Sequence, residues 1–172
     1  MDKAAYFTHP SLPGAQLLHA GFLRQVFARH SHDCYALGVI EDGALSFSYM
    51  RSRHVAHAGM VSLVVPGEVH DGAAAEPGGW SYRMFYLAPG LLAEAAREAG
   101  ARTTAGGLPH FCQGVIDDPG LAARLRRLHL LAARPESSAL ELQTRLRGLL
   151  VRWISCYAET RPALRASGPE PR

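Results

Sequence analysis

The sequence predicts a domain that is mainly β-sheet in its first half and α-helical towards its C-terminus. Residues 21–88 consist of short apolar or alternating runs separated by Gly, Pro and Asp-Gly turn signals, without a helical period between them. From Pro89 onward, apolar residues recur at helical spacing instead. The 172 residues, 48% of them hydrophobic and 19% charged, suffice for one globular domain with a substantial core.

The early strands are predicted from "GFLRQVFARH", which alternates apolar and polar side chains, and from "CYALGVI", which is short and mostly apolar. Asp42-Gly43 is a strong hairpin signal and predicts a turn into the strand "ALSFSYM". The β-branched run in "HVAHAGMVSLVV" follows a break at Gly59 and ends at Pro66-Gly67. Because no helix separates these strands, we expect an antiparallel sandwich or barrel rather than a parallel sheet.

The strand "GWSYRMFYLAP" is predicted to have two different faces. Trp80, Tyr82, Met84 and Tyr86 fall on one face, whereas Arg83 falls on the other and is expected outside any pocket. An aromatic face suits stacking on a sugar or a flat organic molecule. The same pattern is also typical of a barrel whose interior is simply filled.

Two long helices are predicted after a short one that Gly100 ends. Asp117 and Asp118 resemble a helix N-cap before Pro119 and "LAARLRRLHLLAAR", and Ser137 and Ser138 can cap "ALELQTRLRGLLVRWISCYAET". The apolar stripe of the second long helix is wider than one contact face needs, so we expect part of it to pack against a second copy of the chain. The predicted dimerisation residues are Leu121, Leu125, Leu128, Leu142, Leu146, Leu149, Leu150 and Trp153.

Charge and cysteine content narrow the function classes. A formal net charge of +3 gives no indication that this segment itself binds nucleic acid. The sequence has no apolar stretch of the roughly 18 residues that a membrane span needs. Cys34, Cys112 and Cys156 are odd in number and widely spaced, so we expect buried, reduced thiols and a cytoplasmic protein.

Three histidines are the candidate functional group. His30 and His32 stand one residue apart and therefore share one face of a strand, and His70 follows a Pro-Gly turn from which it can join them. Three converging imidazoles are a common set of ligands for zinc and similar divalent metals. The spacing equally allows them to line a ligand pocket or to form structural hydrogen bonds with the backbone.

This histidine pattern resembles the two motifs of the cupin superfamily. The matching residues are His30, His32, Gly43, Gly67 and His70. The family's metal-binding Glu is expected about four or five residues after the second histidine, where this chain has Ala36 and Leu37. Glu68 or Asp71 could take the place of the missing Glu ligand. We nevertheless expect no bound metal and no other cofactor. A divalent metal, if present, would use His30, His32 and His70.

A closer resemblance covers nearly the whole chain. The segments "HSHDCYALGVIEDGALSF", "VVPGEVHDG" and "GWSYRMFYLAP", followed by two leucine-rich helices, are similar to the N-terminal effector-sensing and dimerisation domain of AraC-type transcription regulators. The resemblance implies a cupin-like jelly-roll barrel followed by two long packed helices. It also implies a small organic effector in the barrel, a homodimer, and DNA binding only through a C-terminal domain absent from this chain. Contact with a membrane is not expected.

The resemblance divides the chain into four parts. These are an N-terminal arm at 1–20, a cupin-like effector-binding barrel with a short helix at 21–118, a helical dimerisation region at 119–160, and a linker towards the absent DNA-binding domain at 161–172. The arm also looks irregular by itself, because Pro10, Pro13 and Gly14 interrupt any pattern. The residues expected to bind the effector, a sugar or other small organic compound, are His30, His32, Tyr35, His70, Trp80, Tyr82 and Met84.

We therefore expect a ligand sensor rather than an enzyme. The alternative is a stand-alone, metal-dependent cupin enzyme such as a dioxygenase or isomerase. A third hypothesis is a pure dimerisation module with a filled barrel, which would bind no ligand.

Overall fold

A computed structural model describes residues 2–159, which form nine strands and three helices. The strands are β1 (Lys3–Thr8), β2 (Ala15–Phe22), β3 (Val26–His30), β4 (Tyr35–Tyr49), β5 (Ser52–His57), β6 (Val61–Val64), β7 (His70–Ala74), β8 (Trp80–Leu87) and β9 (Val115–Ile116). The helices are α1 (Pro89–Glu98), α2 (Pro119–Ala132) and α3 (Ala139–Tyr157). The predicted fold class is confirmed: an antiparallel, cupin-like barrel precedes packed helices. The expected linker at 161–172 lies outside the described residues.

The strands form two antiparallel sheets that share β4. One sheet has the order β1-β2-β8-β4-β6-β9, and the other has the order β3-β7-β4-β5. β4 takes part in both sheets because its 15 residues run through a bend: its first half pairs with β8 and β6, and its second half pairs with β5 and β7. A strand that changes sheets closes the barrel on one side.

The bend in β4 lies at Asp42-Gly43, where the sequence predicts a hairpin turn; that prediction is wrong. The register against β8 shifts between Ile40 and Asp42, and Gly43 has a φ of +69°. A Cβ at this position would lie 2.1 Å from the carbonyl oxygen of Gly79, so the neighbouring backbone leaves room for glycine alone. The Asp-Gly pair therefore makes a bulge within one strand.

The chain reverses direction at Met50-Arg51, between β4 and β5, eight residues after the Asp42-Gly43 bulge. Met50 and Arg51 both have positive φ, 47° and 63°, and Tyr49 pairs directly with Ser52. Positive φ at both central residues is the geometry of a type I′ hairpin, which matches the twist of the flanking strands. Neither residue is Gly or Asn, so turn composition gave no signal here.

The N-terminal segment is more ordered than predicted. The described residues 2–20 are mostly regular: β1 pairs along its whole length with β2, and β2 pairs with β8, with Leu18 opposite Met84. Pro10 and Pro13 lie in the turn between the two strands, where they interrupt neither ladder. The barrel thus begins at β2, before the expected boundary at residue 21.

The predicted starts of α2 and α3 are confirmed, whereas α3 ends at Tyr157, three residues before the end of the predicted segment. Asp118 accepts a hydrogen bond from the Leu121 N–H at 2.9 Å at the start of α2, and Ser138 caps α3 in the same manner. Gly100 follows the end of α1 with a φ of +62°. The helices pack against one another and cover the outer face of the first sheet. No helix within residues 2–159 is both long and apolar enough to span a membrane.

The predicted dimerisation residues are already covered within a single chain, which corrects their assignment. Leu121, Leu125, Leu128, Leu142, Leu146, Leu149, Leu150 and Trp153 are each at most 6% exposed. The stripe of α3 is wide because it contacts α1 and α2 as well as the barrel. These side chains are therefore core residues and present no surface to a second copy.

The cysteines form no disulfide with one another, as expected. Cys34 is half-buried, whereas Cys112 and Cys156 are exposed, so the prediction of buried thiols is wrong for the last two.

The bulge at Gly43 generates a stability prediction. Gly43→Ala should lower the free energy of unfolding by about 3 kcal/mol or more, because it adds a backbone clash to the strain of a positive φ. Gly59→Ala is the matched control: its φ is +88°, but nothing lies within 4 Å of the added Cβ, so a loss of about 1 kcal/mol is expected. Urea denaturation of both variants measures the difference. Equal losses would show that the β4 bend is not tightly packed.

Candidate ligand-binding cavity

A cavity of about 160 Å³ lies inside the barrel between the two sheets. Its wall combines a belt of aromatic rings with a group of imidazoles. The aromatic residues are Tyr6, Phe22, Phe27, Phe47, Trp80, Tyr82 and Tyr86, and the imidazoles are those of His30, His32 and His70. Met84 and Asp71 also border the space. The barrel interior is therefore not completely filled.

Strand β8 supplies one wall of the cavity, and its alternation is as predicted. Trp80, Tyr82 and Met84 all face the cavity. Arg83 lies on the opposite face, where its Nε is 3.3 Å from Glu41 Oε1. The residues paired with β8 in the same register, such as Leu18 on β2, share this division into two faces.

The three predicted histidines come together at one end of the cavity. Ring centroids are 4.3 Å apart for His30 and His70, 4.8 Å for His30 and His32, and 5.0 Å for His32 and His70. Their nearest ring nitrogens lie within 4.8 Å of one another. His32 also contacts Tyr86 with its ring edge, at a centroid distance of 5.4 Å, which joins the histidine group to the aromatic belt.

Backbone carbonyls orient two of these rings. His30 Nδ1 lies 2.7 Å from the Ala28 carbonyl oxygen, and His70 Nδ1 lies 3.1 Å from the Glu68 carbonyl oxygen. Since a carbonyl only accepts, each Nδ1 carries the proton and each Nε2 is left as an acceptor or metal ligand. Burial lowers the pKa of His32, and the neighbouring His70 and His30 lower it further. Burial also lowers the pKa of His70, which favours neutral rings near pH 7.

No carboxylate completes the histidine group among the described residues. Glu68 offers its backbone carbonyl to His70, and the ligand-type atoms that converge here belong to the histidines alone. Asp71 borders the cavity, but its Oδ1 accepts a 2.7 Å hydrogen bond from the Ser48 N–H. Burial acts to raise the pKa of Asp71, yet hydrogen bonds from Ser48 and the nearby Arg53 hold it below its ordinary value. Asp71 is therefore an anion beside the cavity.

Two polar atoms of cavity-lining residues lack a hydrogen-bond partner. These are Ser62 Oγ and Trp80 Nε1, both fully buried. Ser62 pairs with Gly38, which in turn pairs with Met84, so by register its side chain shares the cavity face. A buried polar atom without a partner is costly, and a bound molecule is one way to supply the missing bond.

Tyr6 places part of the N-terminal segment at the cavity. Its side chain is 67% exposed, yet it borders the cavity and stacks on Tyr86 at a centroid distance of 6.4 Å. The expected arm thus contributes to the wall as an edge strand of the sheet.

Tyr35 does not line the cavity, which corrects its assignment as a ligand-binding residue. It has the same parity in β4 as Leu37, so it faces the helices, where it is 1% exposed. Its hydroxyl donates a 2.7 Å hydrogen bond to the Pro109 carbonyl, and its ring contacts Phe111 and Trp153. The sequence resemblance did not distinguish the two faces of β4.

Several cavity residues were missed at the sequence level, among them Tyr6, Phe22, Phe27, Ser62 and Tyr86. Alternation along β8 identifies Tyr86, because it continues the series of Trp80, Tyr82 and Met84. Phe22 and Ser62 become visible only from the strand pairing, which sequence alternation by itself does not provide.

The outer face of the cavity strands is bonded to α2. His129 is completely buried, and its Nε2 donates to the Leu18 carbonyl of β2 at 3.1 Å. Its Nδ1 lies 3.3 Å from Arg83 of β8, and Arg126 of α2 binds Glu41 of β4 at 2.9 Å. Strands that line the cavity on one face are thus tied to α2 on the other.

Comparison with known proteins places the chain in a family. Residues 12–150 match the family described as AraC-like ligand binding domain, and the chain belongs to that family. Over 149 residues it is 29% identical to an uncharacterised HTH-type transcriptional regulator, YbfI, from Bacillus subtilis (strain 168). That alignment covers 87% of this chain and 52% of the relative, so the chain spans about half the length of the curated relative it matches.

A solved structure of a transcription activator shows the same fold. The AraC-like transcriptional activator CuxR is 12% identical, with a TM-score of 0.64 over 95% of this chain and 59% of that one. A cupin superfamily protein from Desulfitobacterium hafniense is also 12% identical, with a TM-score of 0.45 over 51% of this chain and 78% of that one. The resemblance to the ligand-binding domain of AraC-type regulators is confirmed.

The buried histidine on α2 generates a prediction for pH dependence. Burial first, and then the adjacent Arg83, lower the pKa of His129 from 6.5 to about 4. The unfolded chain therefore takes up a proton before the folded chain does, so this contribution to stability is complete above pH 6.5 and is lost as the pH falls towards 4. The loss should be on the order of 3 kcal/mol.

His129→Gln should flatten the free energy of unfolding across that pH range relative to the unmodified chain, as measured by urea denaturation at several pH values. His57→Gln changes an exposed histidine and serves as the matched control. An identical pH profile for His129→Gln and the unmodified chain would contradict the burial of a neutral imidazole.

Proposed function

We propose that this domain is the sensor of a transcription regulator and that it binds a small organic effector in the barrel cavity. The observation that carries the proposal is the cavity itself, whose aromatic wall meets three imidazoles and two buried polar atoms without partners. A filled barrel would leave no such space, so this cavity favours a ligand-binding domain over a pure dimerisation module.

The size of the cavity limits the effector to about one ring. Its volume of about 160 Å³ is close to that of an engineered apolar cavity that holds one benzene molecule, about 150 Å³. Aromatic side chains such as Trp80 and Tyr82 can stack on a flat ring or on the apolar face of a sugar. A monosaccharide or a monocyclic organic compound therefore fits best.

The polar end of the cavity favours an effector whose ring carries hydrogen-bond donors. Nε2 of His30 and His70 are acceptors, and Asp71 adds a negative charge nearby. No Lys or Arg of the described residues borders the cavity. A neutral ring with hydroxyl or amine groups is accordingly favoured over a carboxylate.

Signal transmission would follow from the two faces of the cavity strands. An effector that binds one arrangement of the strands more tightly than another shifts their equilibrium, and α2 is bonded to the outer face of the same strands. Tyr6 would let the N-terminal strand respond as well, because it contacts the cavity. We propose that a DNA-binding region, as in the matched regulators, receives the signal. The assembly would be a cytoplasmic homodimer. Its interface must exclude the leucines of α2 and α3 and Trp153, because these side chains are buried within one chain.

Ligand binding gives the test of this proposal. Monosaccharides and monocyclic phenols should include compounds that raise the melting temperature, whereas the matched sugar acids and benzoates should have little effect. Ser62→Ala should weaken binding of such a compound by about two- to tenfold, because it removes one hydrogen bond. The empty domain should be at least as stable as before, because Ser62 Oγ is buried there without a partner.

Ser46→Ala is the matched control, because its hydroxyl accepts a hydrogen bond from Arg53 away from the cavity. Ala36→Leu, which fills part of the cavity, should abolish the thermal shift. The proposal fails if only carboxylates stabilise the protein, or if stabilisation survives in Ala36→Leu.

A metal-dependent enzyme is the second candidate, and the histidine geometry is the observation that favours it. Two of the three rings have Nδ1 bound to a carbonyl and Nε2 available, which is how protein metal sites usually orient histidine ligands. His30, His32 and His70 would hold a late first-row divalent metal as three neutral nitrogen donors. Such a metal supplies Lewis acidity; the missing carboxylate makes this set less complete than that of a metal cupin.

Elemental analysis separates the two candidates. The sensor proposal expects full effector binding after treatment with a chelator. The enzyme instead requires one metal ion per chain, lost in His32→Ala and retained in His57→Ala, together with metal-dependent turnover. The measurement is made in a Cys112→Ser background, because the Cys112 thiolate can itself bind a metal ion outside the barrel.

A further inference from the structure

A second group of metal-binding side chains lies outside the barrel. His110, Cys112 and Glu159 bring one nitrogen, one sulfur and one oxygen atom within 4.8 Å of one another. We propose that these three residues bind a late first-row divalent metal ion, for which zinc is the best match, and that the ion fastens the loop before β9 to the end of α3. This site is independent of the effector cavity.

The loop presents two of the three donors together because the residue between them is anchored. Phe111 is 1% exposed and stacks on Trp153 with ring centroids 4.2 Å apart and an interplanar angle of 8°. Tyr49 donates a hydrogen bond to the Phe111 carbonyl at 3.3 Å. With Phe111 pointing into the core, His110 and Cys112, its two neighbours, are directed towards solvent on the same side.

The third donor comes from Glu159, two residues after the end of α3. The Glu159 N–H donates a 2.8 Å hydrogen bond to the carbonyl of His110, which holds the two segments side by side. Its carboxylate Oε2 lies 3.9 Å from His110 Nε2, and Cys112 Sγ lies 3.8 Å from the same nitrogen. Since all three donor atoms lie within 4.8 Å of one another, they form a compact triangle.

These separations are compatible with shared coordination of one metal ion, although the sulfur–nitrogen contact also lies within hydrogen-bond distance for sulfur. From the usual zinc bond lengths, a tetrahedral ion places its sulfur and nitrogen ligands about 3.6 Å apart and its nitrogen and oxygen ligands about 3.4 Å apart. The observed distances of 3.8 and 3.9 Å exceed these by only a few tenths of an ångström. The nitrogen–oxygen distance of 3.9 Å is, in contrast, too long for a good hydrogen bond.

The surroundings leave room for a fourth ligand. His110 and Glu159 border a surface pocket of about 130 Å³, together with Arg102, Thr103 and Thr104. A water molecule or a threonine hydroxyl can complete a tetrahedral site from this side. Arg102 adds a positive charge that opposes the ion, whereas a thiolate and a carboxylate together offset the charge of the metal.

Metal binding would couple the position of the loop to that of the end of α3. Binding displaces the thiol proton of Cys112 to solvent and replaces the 3.9 Å contact between His110 and Glu159 with coordinate bonds from all three residues. The result is a cross-link that adds to the Glu159–His110 hydrogen bond and to the stacking of Phe111 on Trp153.

Cobalt titration tests the site, because Co²⁺ substitutes for zinc and shows a near-ultraviolet charge-transfer absorption only when a thiolate binds it. Added Co²⁺ should produce this absorption at one equivalent per chain, and Zn²⁺ should displace it. Cys112→Ser should abolish the absorption, and His110→Ala should weaken binding at least tenfold. The histidines in the barrel carry no sulfur, so cobalt bound there does not contribute.

Cys156→Ser and Cys34→Ser are the matched controls and should retain the full absorption. Zn²⁺ should also slow hydrogen exchange of the Glu159 amide at least tenfold in the unmodified chain but not in Cys112→Ser. The proposal is overturned if the unmodified chain develops no thiolate absorption, if that absorption persists in Cys112→Ser, or if zinc leaves the Glu159 amide unaffected.

Discussion

The strict alternation of side chains along β8 is the constraint on which the rest of the structure depends. Trp80, Tyr82 and Met84 face the cavity, and Arg83 and Phe85 face the helices. A shift of one residue in the register would place the arginine inside the barrel and the aromatic rings against α2. Both the chemistry of the cavity and the packing of the helical layer therefore follow from one strand register.

The two faces of β8 also explain how a cavity and a helical layer can belong to one physical unit. On the outer face, Glu41 binds Arg126 in a two-contact ion pair, and His129 reaches across to the Leu18 carbonyl. Arg83 Nε lies 3.3 Å from a carboxylate oxygen of Glu41, close enough for an ion pair. The two groups are not aligned for a hydrogen bond, and Arg83 Nε therefore has no hydrogen-bond partner. In this polar layer His129 is fully buried, whereas Arg83, Glu41 and Arg126 are half-buried. Its bonds to the strands are the basis for proposing α2 as the element that responds to a movement of the cavity wall.

The sequence predicted those features that depend on local pattern. The faces of β8, the convergence of His30, His32 and His70, and the caps of α2 and α3 all follow from spacing within one segment. The features that were predicted wrongly depend on partners far away in the chain. Asp42-Gly43 forms a bulge because Gly79 packs against it, and Tyr35 faces the helices because β4 pairs with β8 in a register that places Tyr35 opposite Leu87. The wide stripe of α3 is covered by α1 and α2, a three-way packing that periodicity alone does not reveal.

The central claim is that the open interior of the barrel is a ligand site. The most direct measurement is a crystal structure of the domain with a hydroxylated monocyclic compound that raises its melting temperature. The account predicts electron density for the ring beside Trp80 and Tyr82, with its hydroxyl groups directed at His30, His32 or His70. Density at any other surface, with the barrel interior closed around its own side chains, would contradict the account.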